Sequence, residues 1–201
     1  MPIKDIITLQ LRKPPIPYFP FCSLLKQVGG GISNAVTGKF LYFAYGSNML
    51  TRRLRARAPS ALAVGTGFVE GYRLTFDKVS RDRSGKANVE LTDNSSDRVY
   101  GVLFTIDAEE ESILDRAEGV GKGYRKTEIQ VVTPKSTALA VTYVATEKDP
   151  ACQPYQWYLA LVVAGAVEHS LPNCYVEWLR KIGSKTDSNI SRSAENEALL
   201  G

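Results

Sequence analysis

The chain has 201 residues, the length of one ordinary domain with tails, which argues against a two-domain enzyme. Hydrophobic residues make up 44% and charged residues 23%, enough to bury a core, and a net charge of +4 implies no nucleic-acid binding unless it is concentrated on one face. One histidine, His169, and three cysteines, Cys22, Cys152 and Cys174, provide no zinc-ligand spacing, CxxC pair or disulfide framework, so metal and cofactor chemistry is not expected.

The first 38 residues carry Pro14, Pro15, Pro17 and Pro20 and then Gly29, Gly30 and Gly31, which break regular structure and read as an extension. Lys4, Arg12 and Lys13 ahead of an apolar stretch imitate a signal peptide, but the prolines and Lys26 interrupt it. The organised part is expected at 39–183. Its first strand spans 40–45, rich in aromatics and bounded by Gly38 and Gly46. A helix is expected at 48–57, where Leu50 and Leu54 lie one turn apart, with Arg52, Arg53, Arg55 and Arg57 as a solvated face. Further strands are expected at 67–76, 87–91, 98–105, 124–132 and 138–146.

Helices follow at 109–117, 155–168 and 174–182. Asp107 and Glu110 have the spacing of a capping box, and Gly119 is a natural helix stop. The longest apolar run, 157–167, falls short of the ~20 residues of a membrane span and reads as a buried helix. His169 then stands near that helix's C-terminus, where the dipole favours a cation. Residues 184–201 are polar and read as a loose tail. Neither the glycines at 65, 67 and 71 nor those at 119, 121 and 123 with Lys122 match a nucleotide-binding loop.

Two places can carry chemistry. Tyr45-Gly46-Ser47-Asn48 joins a strand to a helix start, and such a turn presents backbone N–H groups that can hold a carboxylate or a developing oxyanion, although Ser47 or Asn48 would cap a helix whatever the function. Glu118 stands at the C-terminal end of its helix, where the dipole disfavours a carboxylate; with burial, its pKa would be expected to rise toward that of a general acid/base, while a solvated surface glutamate is the alternative.

The segment Phe43-Ala44-Tyr45-Gly46-Ser47-Asn48-Met49, followed by Asp115-Arg116-Ala117-Glu118-Gly119-Val120, resembles the gamma-glutamylcyclotransferase family, with the likeness running through residues 40–182. The resemblance implies an α+β fold, a small mixed β-barrel of about five to seven strands with flanking helices. It also implies Glu118 as the general acid/base, Tyr45, Gly46, Ser47 and Asn48 as the loop that receives the gamma-glutamyl group, and Tyr124 and Tyr158 as further substrate contacts. The substrate supplies its own nucleophile, its α-amine, so neither a protein nucleophile nor a cofactor is implied. The partner expected is a small gamma-glutamyl compound, with no nucleic acid or membrane, in the reducing cytoplasm that free thiols suit. The YGSN-Met form is closer to the branch acting on gamma-glutamyl amino acids than to the gamma-glutamylamine or glutathione-specific branches. A non-catalytic binding protein on the same scaffold and a gamma-glutamyl-removing enzyme of a biosynthetic pathway are the alternatives, and the oligomeric state stays open.

Overall fold

A computed structural model describes residues 38–201; the N-terminal extension, with its prolines and Cys22, otherwise lies outside the described residues. Seven strands and five α-helices follow. The strands are β1 Lys39–Ala44, β2 Leu62–Glu70, β3 Tyr72–Val79, β4 Gly85–Leu91, β5 Arg98–Asp107, β6 Tyr124–Val132 and β7 Thr137–Ala145. The helices are α1 Thr51–Arg55, α2 Glu111–Glu118, α3 Gln156–Glu168, α4 Asn173–Arg180 and α5 Ile190–Glu197.

Five strands close a barrel in the order β1-β5-β2-β6-β7, while β3 and β4 form a separate two-stranded sheet. Closure is made by β1, which pairs antiparallel with β5 and parallel with β7 at Tyr42 and Val141. Phe43, Val99, Val102, Phe104, Ile106 and Val131 are all without solvent exposure; Phe43 pairs with Leu103, on the face opposite Val102, Phe104 and Ile106, so the barrel wall is buried on both faces. Leu54 of α1, Leu114 of α2 and Leu161 and Val162 of α3 are equally buried, so the helices share the barrel's apolar core. As expected of the apolar run, α3 is buried on most sides: Trp157, Tyr158, Leu159, Leu161, Val162, Gly165 and Ala166 are all enclosed.

Four local expectations are corrected. The run at 67–76 is two strands, because Gly71 adopts a left-handed φ of 75° and turns the chain between them. The helix at 48–57 is broken into a 3₁₀ turn, Ser47–Met49, and α1, because Leu50 between them is extended. The capping box at Asp107 does not form: Ser60 intervenes, its hydroxyl accepting the Asp107 N–H at 2.9 Å and donating to Glu110 at 2.7 Å. The arginines of α1 are not a uniformly solvated face, since Arg53 donates to Ser47 and Asn196 and Arg55 to the Ala61 carbonyl.

Nor is the C-terminal segment loose. The Asp187 carboxylate is fully buried and accepts from Trp157 Nε1 at 2.8 Å, Asn189 N at 2.9 Å, and Arg192 Nε and Nη2 at 2.6 and 2.5 Å. Asn196 takes the Arg53 guanidinium at 2.9 Å, so α5 is tied both to α3 and to α1. His169 closes α3, within 3.1 Å of the Thr51 hydroxyl, while Glu168 accepts the Thr51 N–H at 3.0 Å and so caps α1 from α3.

Chiefly through hydrogen bonds from Arg192, the Asp187 carboxyl is held well below its ordinary value of 3.8. A depressed carboxyl stabilises the fold fully above its unfolded value and loses that contribution as pH falls toward the folded one. Asp187→Ala is therefore expected to lower the thermal midpoint by several degrees at pH 7. The gap between variant and parent should narrow as pH drops below about 4, which calorimetry across pH would check.

Candidate active site

Beyond the end of β1 the chain turns through Tyr45 and Gly46 into Ser47–Met49. Two glycines make the turn's position possible. A Cβ on Gly165 of α3 would lie 2.4 Å from Leu50 N and 2.6 Å from the Met49 carbonyl carbon, so only glycine lets the helix backbone pack directly against the turn. A Cβ on Gly46 would lie 2.9 Å from the Ala87 Cβ and 3.3 Å from the Tyr158 hydroxyl. Met49 N–H bonds the Gly46 carbonyl at 3.0 Å, closing the turn. Among the described residues no group accepts from the N–H of Gly46, Ser47 or Asn48.

Glu118 is the last residue of α2, and Gly119 follows it in the left-handed conformation with φ 73°, as the helix-stop reading requires. Its carboxylate Oε1 accepts from Arg57 Nη1 at 2.5 Å and from Asn48 Nδ2 at 2.9 Å. Arg57 Nη1 also donates to Asn48 Oδ1 at 3.0 Å, and the second Asn48 amide proton goes to the Tyr42 hydroxyl at 3.0 Å. The helix end opposes a carboxylate by roughly 0.3–1 kcal/mol. A hydrogen bond from a charged donor contributes about 1.5–3 kcal/mol, so Arg57 outweighs the dipole.

All seven residues singled out in the sequence, Tyr45, Gly46, Ser47, Asn48, Glu118, Tyr124 and Tyr158, line one cavity, joined by Tyr42, Ala87 and Tyr143. Their polar atoms are largely committed to one another. Tyr45 donates to the Tyr143 carbonyl, Tyr124 to the Ala87 carbonyl at 2.6 Å and Tyr143 to Asp115 at 2.8 Å, while Tyr158 accepts the Ala87 N–H at 3.1 Å. Burial pushes the hydroxyls of Tyr42, Tyr45, Tyr124, Tyr143 and Tyr158 above the ordinary tyrosine value, so these phenols stay protonated at neutral pH. Among the described residues Glu118 is then the one carboxylate lining the cavity.

Sequence reasoning missed Arg57, Tyr42 and Tyr143. For Arg57 a signal existed: Arg53 and Arg57 are four residues apart, on the side that also carries the fully buried Leu54 and Ala58. For Tyr42 and Tyr143 there was none, because barrel closure alone brings β7 beside β1. Among the described residues no group of three or more His, Cys, Asp and Glu side chains could hold a metal ion.

Residues 98–179 match the AIG2-like family. The mouse protein named gamma-glutamylcyclotransferase is 33% identical over 148 residues, covering 71% of this chain and 78% of that protein. The human protein of the same name is 33% identical over 149 residues, with the same coverage. A solved structure named gamma-glutamyl cyclotransferase superposes with a TM-score of 0.72 at 29% identity, covering 81% of this chain and 98% of that one. With a closed barrel of matching fold and relatives at this identity over most of their length, the chain belongs to the gamma-glutamylcyclotransferase family.

Proposed function

We propose that this chain converts a gamma-glutamyl amide to 5-oxoproline and the free amine, with Glu118 moving the protons and the turn at Gly46 to Asn48 holding the reacting carbonyl. The observation that carries this reading is the pairing, in one cavity, of a single carboxylate with a turn whose amides have no partner among the described residues. The substrate's α-amine attacks its own γ-carbonyl carbon, and a C–N bond closes a five-membered ring. The C–N bond to the leaving amine then breaks. Glu118 accepts a proton from the attacking nitrogen and returns one to the departing nitrogen, so no water is consumed and nothing is oxidised or reduced.

The developing oxyanion is held by the amides of Gly46, Ser47 and Asn48. Because the attack is intramolecular, the protein's task is to fold the substrate into a near-attack geometry, for which the tyrosine walls supply shape. Asn48 serves less as a substrate contact than as the link between Tyr42, Arg57 and Glu118, since both its amide protons and its carbonyl are engaged. The reaction is an intramolecular acyl transfer that expels the amine without water. A cytoplasmic setting, in line with the free thiols of Cys152 and Cys174, belongs to the same proposal.

Glu118→Gln is expected to keep the fold by circular dichroism and to lower the rate of 5-oxoproline release about 10²–10⁴-fold, since the amide cannot exchange the proton. Retention of near-normal turnover would remove Glu118 from its role.

For the turn, the order of two substitutions is diagnostic. Ser47→Ala loses a 3.0 Å hydrogen bond from Arg53 Nε but leaves the backbone amides in place, whereas Gly46→Val drives a branched side chain into Ala87 and the Tyr158 hydroxyl. The valine variant is expected to lose at least the roughly 10²–10³-fold that one oxyanion donor contributes, and the alanine variant much less. Equal losses in two folded variants would make the Ser47 hydroxyl itself the functional group.

A further inference from the structure

The cavity around Glu118 is small, about 30 Å³, and adjoins a larger cleft of about 330 Å³ that Glu118 also lines. Four cations edge that cleft: Lys78 near the end of β3, Arg81 in the turn after it, Arg116 in the last turn of α2, and Lys122 in the loop beyond. Glu147 is the cleft's other carboxylate.

None of the four cations makes an ion pair among the described residues, in contrast to nearby bases. Lys126 bridges Glu111 and Asp115, and Lys148 and Arg73 share Glu90. Lys78 instead stands half-buried over the Tyr124 ring, 4.9 Å from its centroid, and Arg116 Nε donates to the Ser112 carbonyl at 3.2 Å. The Arg81 turn is closed by Ser80 N–H to Ser84 O at 3.1 Å and Arg83 N–H to Ser80 O at 2.8 Å, so this rim of the cleft has a hydrogen-bonded backbone. Glu118 cannot offset the excess charge, because Arg57 already neutralises it.

We propose that Lys78, Arg81, Arg116 and Lys122 form an anion-binding subsite for the leaving amine, and that the preferred substrates are gamma-glutamyl compounds whose amine carries at least two carboxylates. This rests on the reaction proposed above, in which Glu118 must reach the departing nitrogen. The leaving group therefore extends from Glu118, and the cleft is the space that Glu118 borders outside the cavity. An ordinary amino acid brings one α-carboxylate, whereas four cations against Glu147 leave room for a second negative charge or more. The preference is for an acidic amino acid or short acidic peptide over a neutral or basic one.

The test compares gamma-glutamyl-glutamate with gamma-glutamyl-glutamine, which are nearly isosteric and differ by one charge, using the full chain and 5-oxoproline release. Exposed ion pairs are worth a few-fold each, so glutamate should be favoured about tenfold in kcat/KM at low ionic strength. Screening should shrink this toward about twofold near 1 M salt. In the double variant Arg81→Gln, Lys122→Gln the preference should fall toward parity, because kcat/KM for the glutamate compound drops more than kcat/KM for the glutamine compound, which presents one carboxylate fewer. Equal kcat/KM for the two compounds at low salt, or an undiminished preference in the double variant, overturns the subsite. Affinities of both compounds for the Glu118→Gln protein give a second reading independent of turnover. If no compound yields 5-oxoproline the proposed reaction fails, while these affinities still decide the subsite.

Discussion

The Arg57 guanidinium joins two parts of the chain that sequence keeps far apart: the turn after the first barrel strand and the end of α2. One of its nitrogens bonds both Asn48 Oδ1 and Glu118 Oε1, while Asn48 bonds Glu118 directly. A carboxylate at a helix C-terminus is otherwise badly placed, facing unpaired carbonyls and free to choose among rotamers. The triangle removes both problems, giving Glu118 a compensating charge and a single orientation. The turn in turn depends on Gly165, since any side chain there would push α3 off Met49 and Leu50 and move Asn48 with them. Backbone packing at one glycine thus sets, through Asn48, the orientation of the Glu118 carboxylate.

Much of this was legible in the sequence, and the reasons differ by element. The barrel strands announced themselves by aromatic and β-branched runs between turn residues, and 124–132 agrees with β6 at both ends. Glu118 was legible because a left-handed glycine at a helix end fixes which residue comes last. The candidate site residues also converge on one cavity: Tyr45, Gly46, Ser47, Asn48 and Glu118 were tied to a turn or an element end, and Tyr124 and Tyr158 were implied by the resemblance. The illegible parts share one cause: a tertiary partner replaced the local one. Ser60 satisfies the groups that a capping box would have paired locally. Residues 184–201 look unstructured by composition, yet α5 is docked because Trp157 and Arg192 converge on a buried Asp187. Arg57 reads as surface charge until α2 is laid beside it.

The cavity's chemistry follows from how few of its groups can change charge. Five buried tyrosines stay protonated, and three of them spend their protons on Tyr143 O, Ala87 O and Asp115. They shape and stiffen the walls without competing for the substrate's proton. In the proposed reaction proton transfer falls to Glu118 and carbonyl polarisation to the backbone amides, a division that suits a nucleophile arriving with the substrate.

Charge is managed oppositely on the two sides of Glu118. Inward, Glu118 is paired with Arg57 among neutral phenols and amides, and the nearby Arg53 is held by the neutral Ser47 and Asn196. A buried uncompensated charge would be costly there, and Arg57 supplies the compensating charge while Glu118 is ionised. Outward, Lys78, Arg81, Arg116 and Lys122 stand without an ion pair among the described residues, around a single additional described carboxylate. Unpaired cations at a rim contribute little to stability but add attraction for an incoming anion and its orientation. In the proposed reaction and subsite the inner pair serves bond rearrangement and the outer field selection, and Glu118, lining both spaces, is where a leaving group chosen by the second would meet the proton supplied by the first.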